Sequence, residues 1–92
     1  MKLNQLRYLI QIVRSGSINR AAQALYISQP TLSKTVEDLE AEMGIVIFTR
    51  TSRGVTLTED GMRFLSYARQ VVEQADVLES LYKGGTSQRR VF

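Results

Sequence analysis

Between Ser28 and Lys34, consecutive residues carry three hydroxyls, a carboxamide, a proline and an ammonium: Ser28-Gln29-Pro30-Thr31-Leu32-Ser33-Lys34. The chemistry these groups can do is hydrogen bonding, not bond breaking. A glutamine amide presents a donor beside an acceptor and can bind the N6/N7 edge of adenine bidentately. Thr31 and Ser33 can reach base edges or phosphate oxygens, and Pro30 and the Thr31 methyl can meet a thymine methyl. Lys34 can bind guanine or neutralise a phosphate. A second group, Arg50-Thr51-Ser52-Arg53, sets two guanidinium groups around two hydroxyls. That composition suits phosphates and the negative potential of a narrow minor groove. Taken singly, Ser28 is first of all a helix cap, and Lys34 is an ordinary solvated charge.

The composition narrows the alternatives. The 92 residues include no histidine and no cysteine, so imidazole acid/base chemistry, a thiol nucleophile, a disulfide framework and a zinc finger are all excluded. There is no Gly-rich phosphate loop, and the acids gather on helix surfaces, so an enzyme fits poorly. No cofactor and no metal is expected. No apolar run approaches the ~18 residues of a membrane span, and no signal-peptide core follows Met1, so a cytoplasmic protein without membrane contact is the expectation. Net charge is +3. Residues 1–58 hold seven basic and four acidic residues, whereas 59–83 hold three basic and five acidic. A basic part that meets a polyanion and an acidic helix with a different task would produce this asymmetry.

The elements that must position these groups follow from periodicity. Leu3, Leu6, Ile10 and Val13 mark a first helix, with Asn4 as its cap, Leu3 and Tyr8 as a hydrophobic staple and Gly16 as its stop. Ser17 caps a short second helix, Ile18 to about Leu25, in which Ala21, Ala22 and Ala24 permit close packing. Ser28 caps a third, reaching about Gly44, with Pro30 in its first turn and Leu32, Val36, Leu39 and Met43 as its core stripe. Pro30, Thr31 and Lys34 then point away from the core, with Ser33 at the flank. Glu37, Asp38, Glu40 and Glu42 should tilt out of any groove, because they would repel a phosphate backbone. Ile45-Val46-Ile47-Phe48, a turn at Ser52-Arg53-Gly54 and the alternating Val55-Thr56-Leu57 predict a two-stranded hairpin, placing Arg50 and Arg53 at its tip. The fold class is thus mainly α: a winged helix-turn-helix of three helices plus a two-stranded wing, followed by a long helix. Such a unit places its third helix in the major groove of duplex DNA and its wing in the minor groove.

Thr58 caps that fourth helix, which runs to about Lys83, a length of about 37 Å. Phe64, Ala68, Val71, Ala75, Leu78 and Tyr82 recur every 3 or 4 residues along it, with Leu65, Val72 and Leu81 on an adjacent row. One row can pack on the small domain; the other predicts burial against a second copy. A protein-interaction module built on this helix alone would leave the basic first part unexplained. The expected domains are 1–58, DNA-binding; 59–83, dimerising linker helix; and 84–92, a hinge.

Over residues 1 to about 83 the sequence resembles the LysR-type transcriptional regulators. The resemblance is carried by Leu6-Arg7-Tyr8, Gly16-Ser17 with Ala21-Ala22 and Leu25, Ser28-Gln29-Pro30-Thr31-Leu32-Ser33, Leu39-Glu40, Met43-Gly44, Phe48-Thr49-Arg50, and Leu57-Thr58 with Gly61. It implies a bacterial transcription regulator whose linker helices pair antiparallel in a homodimer on palindromic half-sites. Whole members are usually tetramers and carry an effector-binding α/β domain beyond a hinge. The chain looks like a fragment without that domain, so a small-molecule effector would act only through a segment outside this sequence. By position, the implied DNA contacts are Gln29, Pro30, Thr31, Ser33, Lys34, Arg50 and Arg53. Many members have alanine or proline where Thr31 stands and arginine where Lys34 stands. Lysine lacks the planar fork of arginine, which bears on base preference.

Overall fold

Side-chain oxygens begin three of the four helices among the described residues. In the computed structural model, which describes residues 1–83, Ser17 Oγ accepts the Arg20 N–H, Ser28 Oγ the Thr31 N–H and Thr58 Oγ1 the Gly61 N–H, at 3.0, 3.2 and 2.9 Å. Each satisfies a first-turn donor that the helix itself cannot. The elements are α1 (Leu3–Ser15), α2 (Ile18–Leu25), α3 (Gln29–Met43), β1 (Phe48–Thr51), β2 (Gly54–Leu57) and α4 (Glu59–Tyr82). The mainly helical class with a two-stranded antiparallel sheet is as the sequence predicts. The expected hinge, 84–92, lies outside the described residues.

The core lies where α1, α2 and α3 meet, closed from below by Ile47, Phe48 and Leu65. Leu9, Ile12, Leu32, Leu39 and Ile47 are fully buried, each contributing about 1.5–3 kcal/mol by leaving water. Ala21 and Ala22 are buried against α1, while Ala24 is exposed. Ile27, just before the Ser28 cap, is partly buried and packs against the core that holds Leu32.

Two local expectations are corrected. Asn4 does not cap α1: the helix begins at Leu3 with Lys2 as its N-cap, and the Gln5 side-chain carbonyl accepts the Lys2 N–H at 2.7 Å. Leu3 is therefore already helical, and the Leu3–Tyr8 staple has no place. The strand also starts later than the apolar run suggests. Gly44 N and Ile45 N donate to the Glu40 carbonyl, and Ile47 N and Phe48 N donate to the Glu40 carboxylate. Thr58 Oγ1 donates to the Val46 and Ile47 carbonyls. With those groups engaged, Ile45–Ile47 has few left for a ladder. Strand pairing runs instead from Phe48–Leu57 to Thr51–Gly54, leaving Ser52 and Arg53 as the turn.

Close backbone approach sets the wing and α4 against the helices. Val55 N donates to the Gly16 carbonyl at 3.2 Å. Gly54 has φ +141, and a Cβ there would overlap the Gly16 carbonyl; a Cβ on Gly61 would overlap that of Ile47. Along α4 the rows divide differently from expectation. Leu65 and Ala68 are buried, and Phe64, Val72 and Ala75 are half-buried. The upper members of the predicted seam, Phe64 and Ala68, are thus covered within the chain. Val71, Leu78 and Tyr82 remain 47%, 59% and 62% exposed, and Leu81 of the adjacent row is exposed as well. Arg7 of α1 donates to Asp76 of α4 at 2.8 Å, which makes it an inter-helix tie rather than an ordinary exposed charge. That hydrogen bond, with the nearby negative charge, raises the Arg7 guanidinium further above its usual range.

Candidate nucleic-acid interface

The first two turns of α3 present the polar residues singled out in the sequence. Pro30, Thr31 and Lys34 are exposed, while Gln29 and Ser33 are half-buried beside the wing. Their placement follows from the stripe that faces inward: with Leu32, Val36 and Leu39 in the core, these residues fall on the outer face and flank. Ser28 is occupied as a cap, its Oγ accepting the Thr31 N–H and donating to Thr31 Oγ1 at 2.7 Å. Lys34 pairs with Asp38 at 3.2 Å one turn on, both side chains well exposed. Such a pair contributes only about 0.3–0.5 kcal/mol, so the ammonium is free to leave it for a stronger anion.

The wing places its groups unequally. Ser52 and Arg53 form the tip, exposed, as the sequence suggests. Thr51 lies on β1 and folds the turn: its Oγ1 accepts the Arg53 N–H at 3.2 Å and donates to the Gly54 carbonyl at 3.3 Å. Arg50 is not at the tip. It lies on β1 opposite Val55, and its Nη2 donates back to Ser33 Oγ on α3 at 3.1 Å. Gln29 Nε2 donates to the same Ser33 oxygen at 2.9 Å. Gln29, Ser33 and Arg50 line one groove of about 330 Å³ between α3 and the wing, closed behind by Ile18, Val36 and Phe48 and bordered by Glu37 and Glu40.

Glu40 has a role that the sequence reading missed. Expected with the other acids to tilt out of any groove, it is half-buried, its Oε2 accepting from Ile47 N at 2.7 Å and Phe48 N at 3.2 Å. Its carboxylate fixes the root of the wing. Glu37, Asp38 and Glu42 are exposed as expected. The only signal for Glu40 was its position one helical turn before Gly44, facing the apolar run that follows.

Among the described residues no cluster of acidic side chains is arranged as a metal site, and no helix is long and apolar enough to cross a membrane. The surface offers a helix end rich in hydroxyl and amide groups beside an arginine-tipped hairpin.

Comparison with known proteins gives this surface its relatives. Residues 3–62 match the model for bacterial regulatory helix-turn-helix proteins of the lysR family. The HTH-type transcriptional regulator ClcR of Pseudomonas putida is 42% identical over 77 residues, covering 84% of this chain and 26% of that protein. The nitrogen assimilation regulatory protein nac of Klebsiella aerogenes is 43% identical over 76 residues, covering 83% of this chain and 25% of its own length. The chain therefore spans about a quarter of the length of these curated relatives. Among solved structures, the CbnR_DBD–DNA complex superposes with a TM-score of 0.82 at 36% identity, covering 87% of this chain and 92% of that one. The BenM_DBD complex with catB site 1 DNA gives 0.83 at 38% identity, covering 88% and 87%. With its family model matched over most of its length, and with relatives and folds that agree, the chain belongs to the lysR family of bacterial regulatory helix-turn-helix proteins.

Proposed function

We propose that residues 1–58 bind duplex DNA sequence-specifically, with the first two turns of α3 in the major groove and the Ser52-Arg53 tip in the minor groove. One observation carries this reading: on the N-terminal half of α3, Pro30, Thr31 and Lys34 are exposed on the face away from the core, with Gln29 and Ser33 only half-covered beside the wing. Gln29 and Ser33 read base edges, Pro30 and the Thr31 methyl meet apolar base surface, and Lys34 and Arg53 neutralise phosphate or groove charge. The relatives named above, regulators of transcription and domains solved in DNA complexes, support DNA binding by this unit.

Residues 59–83 serve as the dimer device in this reading. Val71, Leu78 and Tyr82 continue the apolar row past the point where the chain covers it, so a second copy is the natural partner. Two copies related by a two-fold axis present two reading heads to a palindromic site. Tetramer assembly and a small-molecule effector, which the family resemblance implies, would rest on a segment outside these 92 residues. Neither a metal nor a cofactor enters this scheme.

The test is base preference. Gln29→Ala should relax selection at the position it reads, whereas Lys34→Ala and Arg53→Ala should lower affinity across all sequences and flatten its salt dependence. A Gln29→Ala variant with unchanged preferred site and affinity would show that the reading head lies elsewhere.

A further inference from the structure

Ser33 accepts two hydrogen bonds and, among the described residues, gives none. Gln29 Nε2 reaches its hydroxyl from one turn earlier on α3 at 2.9 Å, and Arg50 Nη2 reaches it from β1 at 3.1 Å. A serine oxygen has two lone pairs and one proton. Both lone pairs are engaged by donors, so the rotor is fixed and the proton is directed away from Gln29 and Arg50. Arg50 comes to this place by strand alternation: Phe48 is buried against the core, and the residue two positions on shares its face of the hairpin, toward α3. Gln29 keeps its Oε1 and a second N–H, enough to read adenine while it holds Ser33.

We infer that Arg50 is a positioning residue for base selection: with Gln29 it makes the Ser33 hydroxyl an obligatory donor. The proposal rests on the major-groove docking given above. An obligatory donor selects a bare acceptor on the base it meets, guanine O6 or N7, adenine N7 or thymine O4, and rejects the exocyclic amine of cytosine. Arg50 thereby acts on the choice of base rather than on phosphate charge, unlike Arg53 at the tip. A phosphate oxygen is also a bare acceptor, and salt dependence separates the two sources, because a phosphate contact releases a counterion and a base contact does not.

The experiment uses a duplex selected by the 92-residue chain from a randomised pool, together with its single-position base variants, over a range of salt. Arg50→Leu should lose about 3- to 10-fold in discrimination at one base-pair position of each half-site, the range expected for one hydrogen bond, with an unchanged salt slope. Ser33→Ala should lose discrimination at that same position, and the double variant should lose no more than either alone. Arg50 is exposed, so thermal unfolding checks that its variant is folded, and Ser33→Ala tests the claim from the other partner. An even loss across all base variants, with a salt slope lower by about one unit per half-site, would identify a phosphate contact and overturn the proposal. So would losses by the two single variants at different positions, or losses that add. If the unaltered chain selects no duplex, the DNA-binding reading itself fails, which is seen before any variant is compared.

Discussion

The Glu40 carboxylate, near the end of α3, accepts the backbone N–H of Ile47 at 2.7 Å, fastening the root of the wing to the helix that carries the reading head. The same oxygen takes the Phe48 N–H at 3.2 Å, so one acid aligns the first residues of the hairpin. Removing it leaves the amides of two buried residues, Ile47 and Phe48, without their acceptor. Glu40→Ala should destabilise the chain by about 1.5–3 kcal/mol, and Glu40→Gln, which keeps a neutral oxygen, by roughly half as much. Urea unfolding midpoints check this; a Glu40→Ala value within about 0.5 kcal/mol of the parent, as for an ordinary surface change, would contradict the tie.

Close approach at Gly61 gives an ordering among glycine substitutions. A Cβ at Gly61 would run into the Ile47 carbonyl, whereas one at Gly44 meets nothing within 4 Å and is opposed only by the φ of +72. Gly61→Ala should therefore cost about 1–3 kcal/mol or more as α4 is pushed off the wing root. Gly44→Ala should cost about 1 kcal/mol, from left-handed backbone strain alone. Equal thermal shifts for the two variants would mean that α4 does not sit against Ile47 as described.

Much of this architecture is legible in the sequence because much of it is local. The Ser17, Ser28 and Thr58 caps bond within their own first turns, so residue type and spacing suffice to find them. The cap of α1 escaped because Lys2 and Gln5 offer a competing arrangement two residues earlier than Asn4 suggests. The strand boundary escaped for a non-local reason: Ile45–Ile47 reads as a strand, yet Glu40 and Thr58 claim much of its backbone. Placing β1 at Phe48 changes Arg50 from a tip residue into one facing α3. Period-two alternation from Phe48 carried that signal, once the start of the strand was known. The residues on the outer face of α3 were legible outright, since the stripe Leu32, Val36 and Leu39 determines what must lie opposite.

Substitutions along α4 should separate folding from assembly. Val71 and Leu78 are about half exposed in the single chain, so Val71→Glu with Leu78→Glu should dissociate a dimer while barely changing the unfolding of the monomer. Leu65 is 6% exposed and sits in the core, so Leu65→Glu should unfold the chain, by more than the roughly 2–5 kcal/mol of a leucine-to-alanine change. Sedimentation and circular dichroism on the same samples provide the check. An unaltered dimer in the Val71/Leu78 variant would remove this row from the interface.

The tie between Arg7 and Asp76 should be weak, despite its 2.8 Å length. Both side chains are more than a third exposed, and solvent screens such pairs to about 1 kcal/mol or less. Asp76→Asn should lower stability by no more than that, with the difference shrinking as salt is added. A loss several times larger, insensitive to salt, would mean that α4 depends on this contact to stay docked.

DNA binding through the Gln29–Lys34 face is tested most directly by incubating the folded 92-residue chain with a randomised duplex pool, then titrating the selected duplex with salt. The expected result is a defined half-site, repeated with two-fold symmetry, bound with an affinity that falls steeply with salt. A dimer making six or more phosphate contacts would lose about 10³-fold or more between about 50 and 200 mM. A properly folded dimer that binds no duplex at low salt, or binds every duplex alike, would contradict it.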